Sequence, residues 1–385
     1  MRFGLSEIGF PVSARLAVAA IFFVNGALFG NWVARIPAVK EKLGLSEGLL
    51  GLALLAIAVG ALVAMPVAGV LISRLGSRGI TAAGVLGACV ALPLVAVPGS
   101  FPALVAVLLA LGVLLGSLDV AMNAQGAAVE KVYGRPIMNS FHAMFSIGGL
   151  AGAMMGGAMA ALGAGLGAHF LAVAALFGAL ALFAVQYLLP SEPVGAGEPA
   201  FAVPDRAMFG LGIVAFCVLL GEGAVADWSA VYLSGTLGTG PGVAAAGFAA
   251  FSLMMTAGRL AGDRLNMLLG PVTLVRLGGG VAALGMSLAL FSGSPAFALA
   301  GFAGVGAGFS VVFPIVLSTA ARTPGVAPGA AIAAMSTMGY FGFLVGPPLI
   351  GFVAEMLTLR GALGLILISS AAIALLANSA ARGKV

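Results

Sequence analysis

Charge is what this sequence has least of. Only 8% of its 385 residues are Asp, Glu, Lys or Arg, where a soluble domain carries about 25%. No water-soluble fold of this size could hide the complementary 62% of hydrophobic residues, so a soluble enzyme, a disordered chain and a coiled coil are excluded. Cysteine is nearly absent. Cys89 and Cys217 both fall in apolar runs, which excludes a disulfide framework or a thiolate metal site and leaves two small buried hydrophobes. There are two histidines, no His-Glu-x-x-His pair and no Gly-rich loop carrying a phosphate-binding lysine. Zinc hydrolysis and nucleotide hydrolysis therefore lack their residues, and no catalytic group, metal or cofactor is expected. The solvent that suits a mean hydropathy of +1.19 is a lipid bilayer.

What is present is length of apolar run. A helix needs roughly 20 apolar residues to cross the hydrocarbon, and exposed backbone is so costly there that each long run must be helical. Twelve runs qualify: 12–37, 47–73, 79–98, 101–130, 136–163, 166–189, 207–234, 242–265, 271–292, 295–320, 327–354 and 359–380. The connections are short, as at Val97-Pro98-Gly99-Ser100. Arg2 and Arg15 precede a first run longer than a signal-peptide core, so it reads as a retained span.

An even number of spans puts both termini on one side. With the termini inside, the inner loops and ends collect Arg2, Arg15, Arg74, Arg78, Lys131, Arg135, Arg206, Arg259, Arg264, Arg276, Arg322, Arg382 and Lys384. The outer ones keep only Arg35, Lys40, Lys42 and Arg360. That bias predicts cytoplasmic termini in a plasma membrane, expected to be a bacterial inner membrane. It also explains the net charge of +5 without nucleic acid, because the basic residues sit singly at the ends of runs.

The chain repeats itself. Residues 190–206 open with Pro190-Ser191-Glu192-Pro193 and continue rich in glycine, proline and acid, a solvated linker. It separates an N-terminal six-helix bundle, 1–189, from a C-terminal one, 207–385. Gly26-Ala27-Leu28-Phe29-Gly30-Asn31-Trp32 matches Gly223-Ala224-Val225-Ala226-Asp227-Trp228, and Ser73-Arg74-Leu75 matches Asp263-Arg264-Leu265. Gly148, Gly152 and Gly157 repeat the spacing of Gly342, Gly346 and Gly351. Each offset is close to half the chain. An all-α polytopic membrane protein made of two pseudo-symmetric six-helix bundles is predicted. Such repeats place a solute site near the midplane, opened alternately by rocking.

With these features the sequence resembles the major facilitator superfamily over essentially its whole length. Gly69-Val70-Leu71-Ile72-Ser73-Arg74-Leu75-Gly76-Ser77-Arg78 is similar to that family's loop between spans 2 and 3, with Ser73 at the usual acid. The resemblance implies a cytoplasmic gate at Gly69, Arg74, Arg78, Asp263 and Arg264. Gly116-Ser117-Leu118-Asp119-Val120-Ala121-Met122-Asn123 and Gly308-Phe309-Ser310-Val311-Val312-Phe313-Pro314 resemble the fucose-permease-like branch, which implies proton-coupled uptake of a small polar solute.

Ionisable and polar residues inside the runs are the candidate site, because a carboxylate at mid-bilayer costs about 2.5–3.5 kcal/mol on insertion scales. Asp119 in span 4 and Glu222 in span 7 are the candidate proton-coupling acids, with His142 in span 5 as a third titrating group. Asn123 stands one turn from Asp119 on the same face, and Gly116 and Gly126 are expected to leave space beside them. Asn25, Asn31, Arg35, Asn123, Gln125, Asp227, Trp228 and Tyr340 are the candidate solute contacts. Several have a plainer role open: Arg35 snorkelling to the outer water, Trp228 anchoring at the interface, Gln125 bonding helix to helix. His169 is assigned none.

The function these features predict is secondary active transport of a small polar or organic solute by alternating access, as proton symport, in a monomer embedded in lipid. One alternative is a proton-antiport exporter of amphipathic compounds. Another, a non-transporting receptor or membrane-embedded enzyme, lacks a reader domain or a catalytic pair.

Overall fold

The computed structural model describes residues 5–134, 137–190, 208–323, 326 and 328–381. The expected linker after Pro190 lies outside the described residues. Thirteen long helices form the twelve spans: α1 (Leu5–Leu43), α2 (Glu47–Leu75), α3 (Ser77–Leu94), α4 (Phe101–Tyr133), α5 (Met138–Ala161), α6 (Leu166–Ala184), α7 (Phe209–Val231), α8 (Pro241–Leu269), α9 (Pro271–Phe291), α10 (Pro295–Phe309), α11 (Val312–Ala320), α12 (Pro328–Met356) and α13 (Leu359–Leu375). Twelve segments are long and apolar enough to cross a membrane, so the all-helical, twelve-span fold is as expected. Two details differ. Helix α1 runs through Pro37 and past Lys40 and Lys42 to stop at Leu43, before Gly44 in a left-handed conformation. The tenth span is two helices, α10 and α11, with a turn at Ser310-Val311.

The chain divides into two compact units: Met1–Trp32 with Ala56–Gly197, and Val33–Leu55 with Glu198–Val385. The tip of the α1–α2 hairpin thus groups with the second unit.

Each unit has its own aromatic core. In the first, Phe22 stacks on Phe141 at 5.7 Å between centroids, and Phe170 is fully buried. In the second, Tyr232 meets Phe302 edge-on at 6.3 Å and donates its hydroxyl to the Ala289 carbonyl at 3.1 Å. Large apolar side chains such as Leu162, Leu284, Phe291 and Leu375 point outward, mostly exposed. Lipid is the solvent that makes such a surface stable.

Glycine builds the helix crossings. A side chain at Gly148 or Gly152 of α5 would collide with the α1 carbonyls of Phe23 or Ala27. In the second unit Gly342 of α12 meets the Phe216 carbonyl of α7 at 2.5 Å from where a Cβ would stand. The same small-residue approach thus recurs in α5 on α1 and in α12 on α7. Gly112 of α4 sits on Ile57 of α2, and Gly306 of α10 on Phe251 of α8. Counting from Ile57 to Phe251 and from Gly112 to Gly306 gives one offset.

That offset also relates two loop glycines. Gly76 (φ 78°, ψ 163°) joins α2 to α3, and Gly270 (φ 75°, ψ 161°) joins α8 to α9. Only glycine adopts this backbone cheaply. Since α2 and α8 start and stop in step at this offset, Arg74 lies opposite Leu268 and Gly69 opposite Asp263. The sequence match of Ser73-Arg74-Leu75 to Asp263-Arg264-Leu265 is therefore one turn out of register with the helices.

Candidate functional site

In the first unit the polar groups of the candidate site lie on α1, α4 and α5. Asn123 donates to the Asp119 carbonyl at 2.8 Å and to its carboxylate at 3.3 Å, and both side chains are half-buried. The pair is the one that i, i+4 spacing predicts. Asn25, 6% exposed, directs its amide to the sulfur of Met122 at 3.6 Å. Asp119 and Met122 are three apart on α4, so Asn25 meets the side of α4 that also carries the carboxyl. His142 of α5 is exposed and meets Phe22 edge-on at 5.3 Å. The glycines beside Asp119 do not open space, contrary to expectation. Gly116 is pressed against Ala61 of α2 and Gly126 against Met138 and Phe141, so both serve packing.

Two other predicted residues of this unit are enclosed. Asn31 is fully buried; its amide donates to the Ala27 carbonyl at 2.8 Å, and its oxygen lies 2.8 Å from His169 Nε2. His169, given no role by the sequence reading, thus ties α6 to α1. Gln125 is also fully buried. It donates to Ser77 Oγ at 3.0 Å and to the Leu189 carbonyl at 3.1 Å, and accepts from the Leu189 N–H at 3.1 Å. Its amide is committed to fastening α4 to the start of α3 and to the end of the first half.

In the second unit α7 and α8 bring two opposite charges together within the spans. Arg259 Nη2 lies 3.8 Å from Glu222 Oε2, with 28% of the arginine and 14% of the glutamate side chain accessible. The other carboxylate oxygen, Oε1, is buried without a hydrogen-bond partner among the described residues. Sequence reading placed Arg259 with the inner-loop cations. It lies instead about three helical turns before the end of α8 at Leu269. Arg-Leu-Ala-Gly-Asp-Arg, 259–264, carried a signal that could have been noticed: a second arginine deeper than the loop needs.

Asp227 is half-buried and makes no ion pair with a described residue. Trp228 is wholly enclosed, and its indole N–H has no acceptor among the described residues, so it is not an interfacial anchor. Tyr340 of α12 is half-buried. Arg35, 5% exposed, groups with this unit and does not snorkel to water.

The residues expected at the gate lie within the last two turns of α2 and α8 and the first turn of α3. Arg74 is exposed, and Ser73 turns its hydroxyl back to the Val70 carbonyl at 2.8 Å. Arg78 donates to the Gln186 carbonyl at 3.2 Å. The space beside Gly69 is open. Asp263 and Arg264 are exposed and form no ion pair with a described residue. No cluster of metal-ligating side chains occurs among the described residues.

Duplicated six-span halves with charged groups inside the spans define the class of polytopic membrane transporters. Residues 17–327 match the Major Facilitator Superfamily, and the chain belongs to that family. An uncharacterized MFS-type transporter of Yersinia pestis is 36% identical over 365 residues, 94% of this chain and 93% of that protein. The solved nucleoside transporter NupG has the same fold, with a TM-score of 0.76 at 16% identity, covering 97% of this chain and all of that one. The Escherichia coli fucose:proton symporter FucP is more distant, with a TM-score of 0.63 at 17% identity over 94% of this chain and 97% of that one. The chain is a membrane transporter of this kind. Its resemblance to FucP is one of fold and does not single out the fucose-permease-like branch.

Proposed function

We propose that this carrier moves a small polar or organic solute across a bacterial plasma membrane by alternating access, coupled to protons as symport. The Glu222–Arg259 pair carries the reading. A charge pair within spans is tolerated only where it faces protein or a water-lined path. This one is partly accessible and held at 3.8 Å, with one carboxylate oxygen unsatisfied. A loosely held carboxylate in such a place can exchange its arginine for a proton, which is what coupling requires. Asp119, bonded by Asn123 on its own helix, is the candidate acid of the first unit; His142, Asp227 and Tyr340 are further candidates.

The test is solute counterflow and pH-jump transport in proteoliposomes. Symport predicts that a solute gradient directed inward makes the outside alkaline. Glu222→Gln and Asp119→Asn should each reduce proton-linked flux at least about tenfold while exchange of solute for solute continues. Acidification of the outside would instead mark proton-antiport export, and wild-type proton-linked flux in both variants would remove the coupling scheme.

A further inference from the structure

We infer that Glu355 and Gly48 form a releasable latch, which holds the tip of the α1–α2 hairpin against the end of α12 and lets it go as the carrier cycles. The hairpin tip, residues 33–55, groups with the second unit, and the first turns of α2 meet the last turns of α12 with almost no side chain between them. Gly51 faces the Pro347 carbonyl, and Gly351 faces the Glu47 carbonyl, each 2.6 Å from where a Cβ would stand. Such a seam is tight, but it is apolar and undirected.

The directed contact is a carboxylate. The Gly48 N–H donates to Glu355 Oε1 at 3.0 Å. The first N–H groups of a helix have no partner within it, and the positive end of α2 favours an anion there. Ser46 already serves the Leu49 N–H, at 3.2 Å, so Glu355 supplies the second cap from another helix. Glycine at 48 is what admits it: a Cβ there would stand 2.7–2.8 Å from the Glu355 carboxyl atoms. The neighbouring acid, Glu47, is engaged by Lys40 at 3.1 Å and does not compete for the position.

The bond is conditional on docking. While the hairpin is seated, Gly48 is buried and its N–H needs Glu355. Once it lifts, both groups are hydrated. The net advantage of the bond is therefore small, as for any exchange of a protein partner for water, and that is what makes the contact reversible. This inference does not depend on which solute or ion is carried.

The experiment measures the distance between spin labels at Glu41→Cys and Arg360→Cys, both exposed, by double electron–electron resonance. The full-length protein is reconstituted with Cys89 and Cys217 replaced by alanine. The wild-type latch should give one dominant short distance. Glu355→Ala should raise the longer-distance fraction at least about threefold, and Gly48→Ala, by displacing the carboxylate, should do the same. The double variant should add nothing further, because both changes remove one bond. Glu355→Gln, which keeps an acceptor without the charge, should fall between. A wild-type distribution in the Glu355 variants overturns the latch, and so does an additive double variant. If Gly48→Ala does not fold, the two Glu355 variants decide alone.

Discussion

The charged and amide side chains of this protein divide by what their hydrogen bonds are committed to. Glu222 and Arg259 hold each other loosely, and removing either breaks a charge pair in a medium that solvates charge poorly. Glu222→Gln or Arg259→Gln should lower stability by about 1–3 kcal/mol, less than the roughly 3–5 kcal/mol of a fully buried pair, because part of both side chains is accessible. The double replacement should recover most of that loss in a thermal melt in detergent; two additive losses would deny the pairing. Gln125 is the opposite case. Gln125→Ala abandons Ser77 and both groups of Leu189 in a buried place, at about 2–4 kcal/mol, and should appear as a lower melting temperature without a change in the pH dependence of transport. The Asp119–Asn123 pair was legible in the sequence because both ends lie on one helix. The His169–Asn31 contact joins residues 138 apart, and no local spacing announces it. Arg259 was misplaced for a related reason: its partner is on another helix, and an isolated arginine near the end of an apolar run reads as a loop marker.

Helices here touch through missing side chains, so a glycine's worth depends on what stands opposite it. Gly148→Ala and Gly342→Ala insert a methyl against a neighbouring backbone carbonyl and should each cost about 1–3 kcal/mol through a forced separation of helices. Gly280→Ala, within α9 with open space beside it, should be neutral or gain up to about 1 kcal/mol from helix propensity. Thermal melts of the three variants in one detergent check the order; equal effects would mean the crossings are not backbone-tight. Hydropathy located every span, because the bilayer requires long apolar runs. It did not locate the turn at Ser310-Val311, because one serine hardly lowers the hydropathy of the run; the signal there is Pro314, which has no N–H to give the Ser310 carbonyl. Nor did it show that Gly116 and Gly126 fill space rather than leave it, since composition is silent on the helix opposite.

At the scale of the whole molecule, duplication and charge bias make separate demands on one arrangement. The repeat was visible in sequence through three glycine and polar patterns at slightly different offsets, and the backbone selects that of the glycine triplets, since Gly76 and Gly270 stand at the same offset and share a conformation that other residues avoid. Twelve spans require both termini on one side. With Arg259 and Arg35 both set aside as lying within spans, the other inner cations still far outnumber Lys40, Lys42 and Arg360, so the charge bias still favours cytoplasmic termini. Alkaline phosphatase, active only outside the cytoplasm, should therefore be active when fused after Gly99 or Gly293 and inactive when fused within residues 191–206 or at the C-terminus. A fluorescent protein at the C-terminus should give the complementary signal. Phosphatase activity at the C-terminal fusion would reverse the orientation. Activity at Gly99 but not at Gly293 would instead break the span count between them, and with it the equivalence of the two halves.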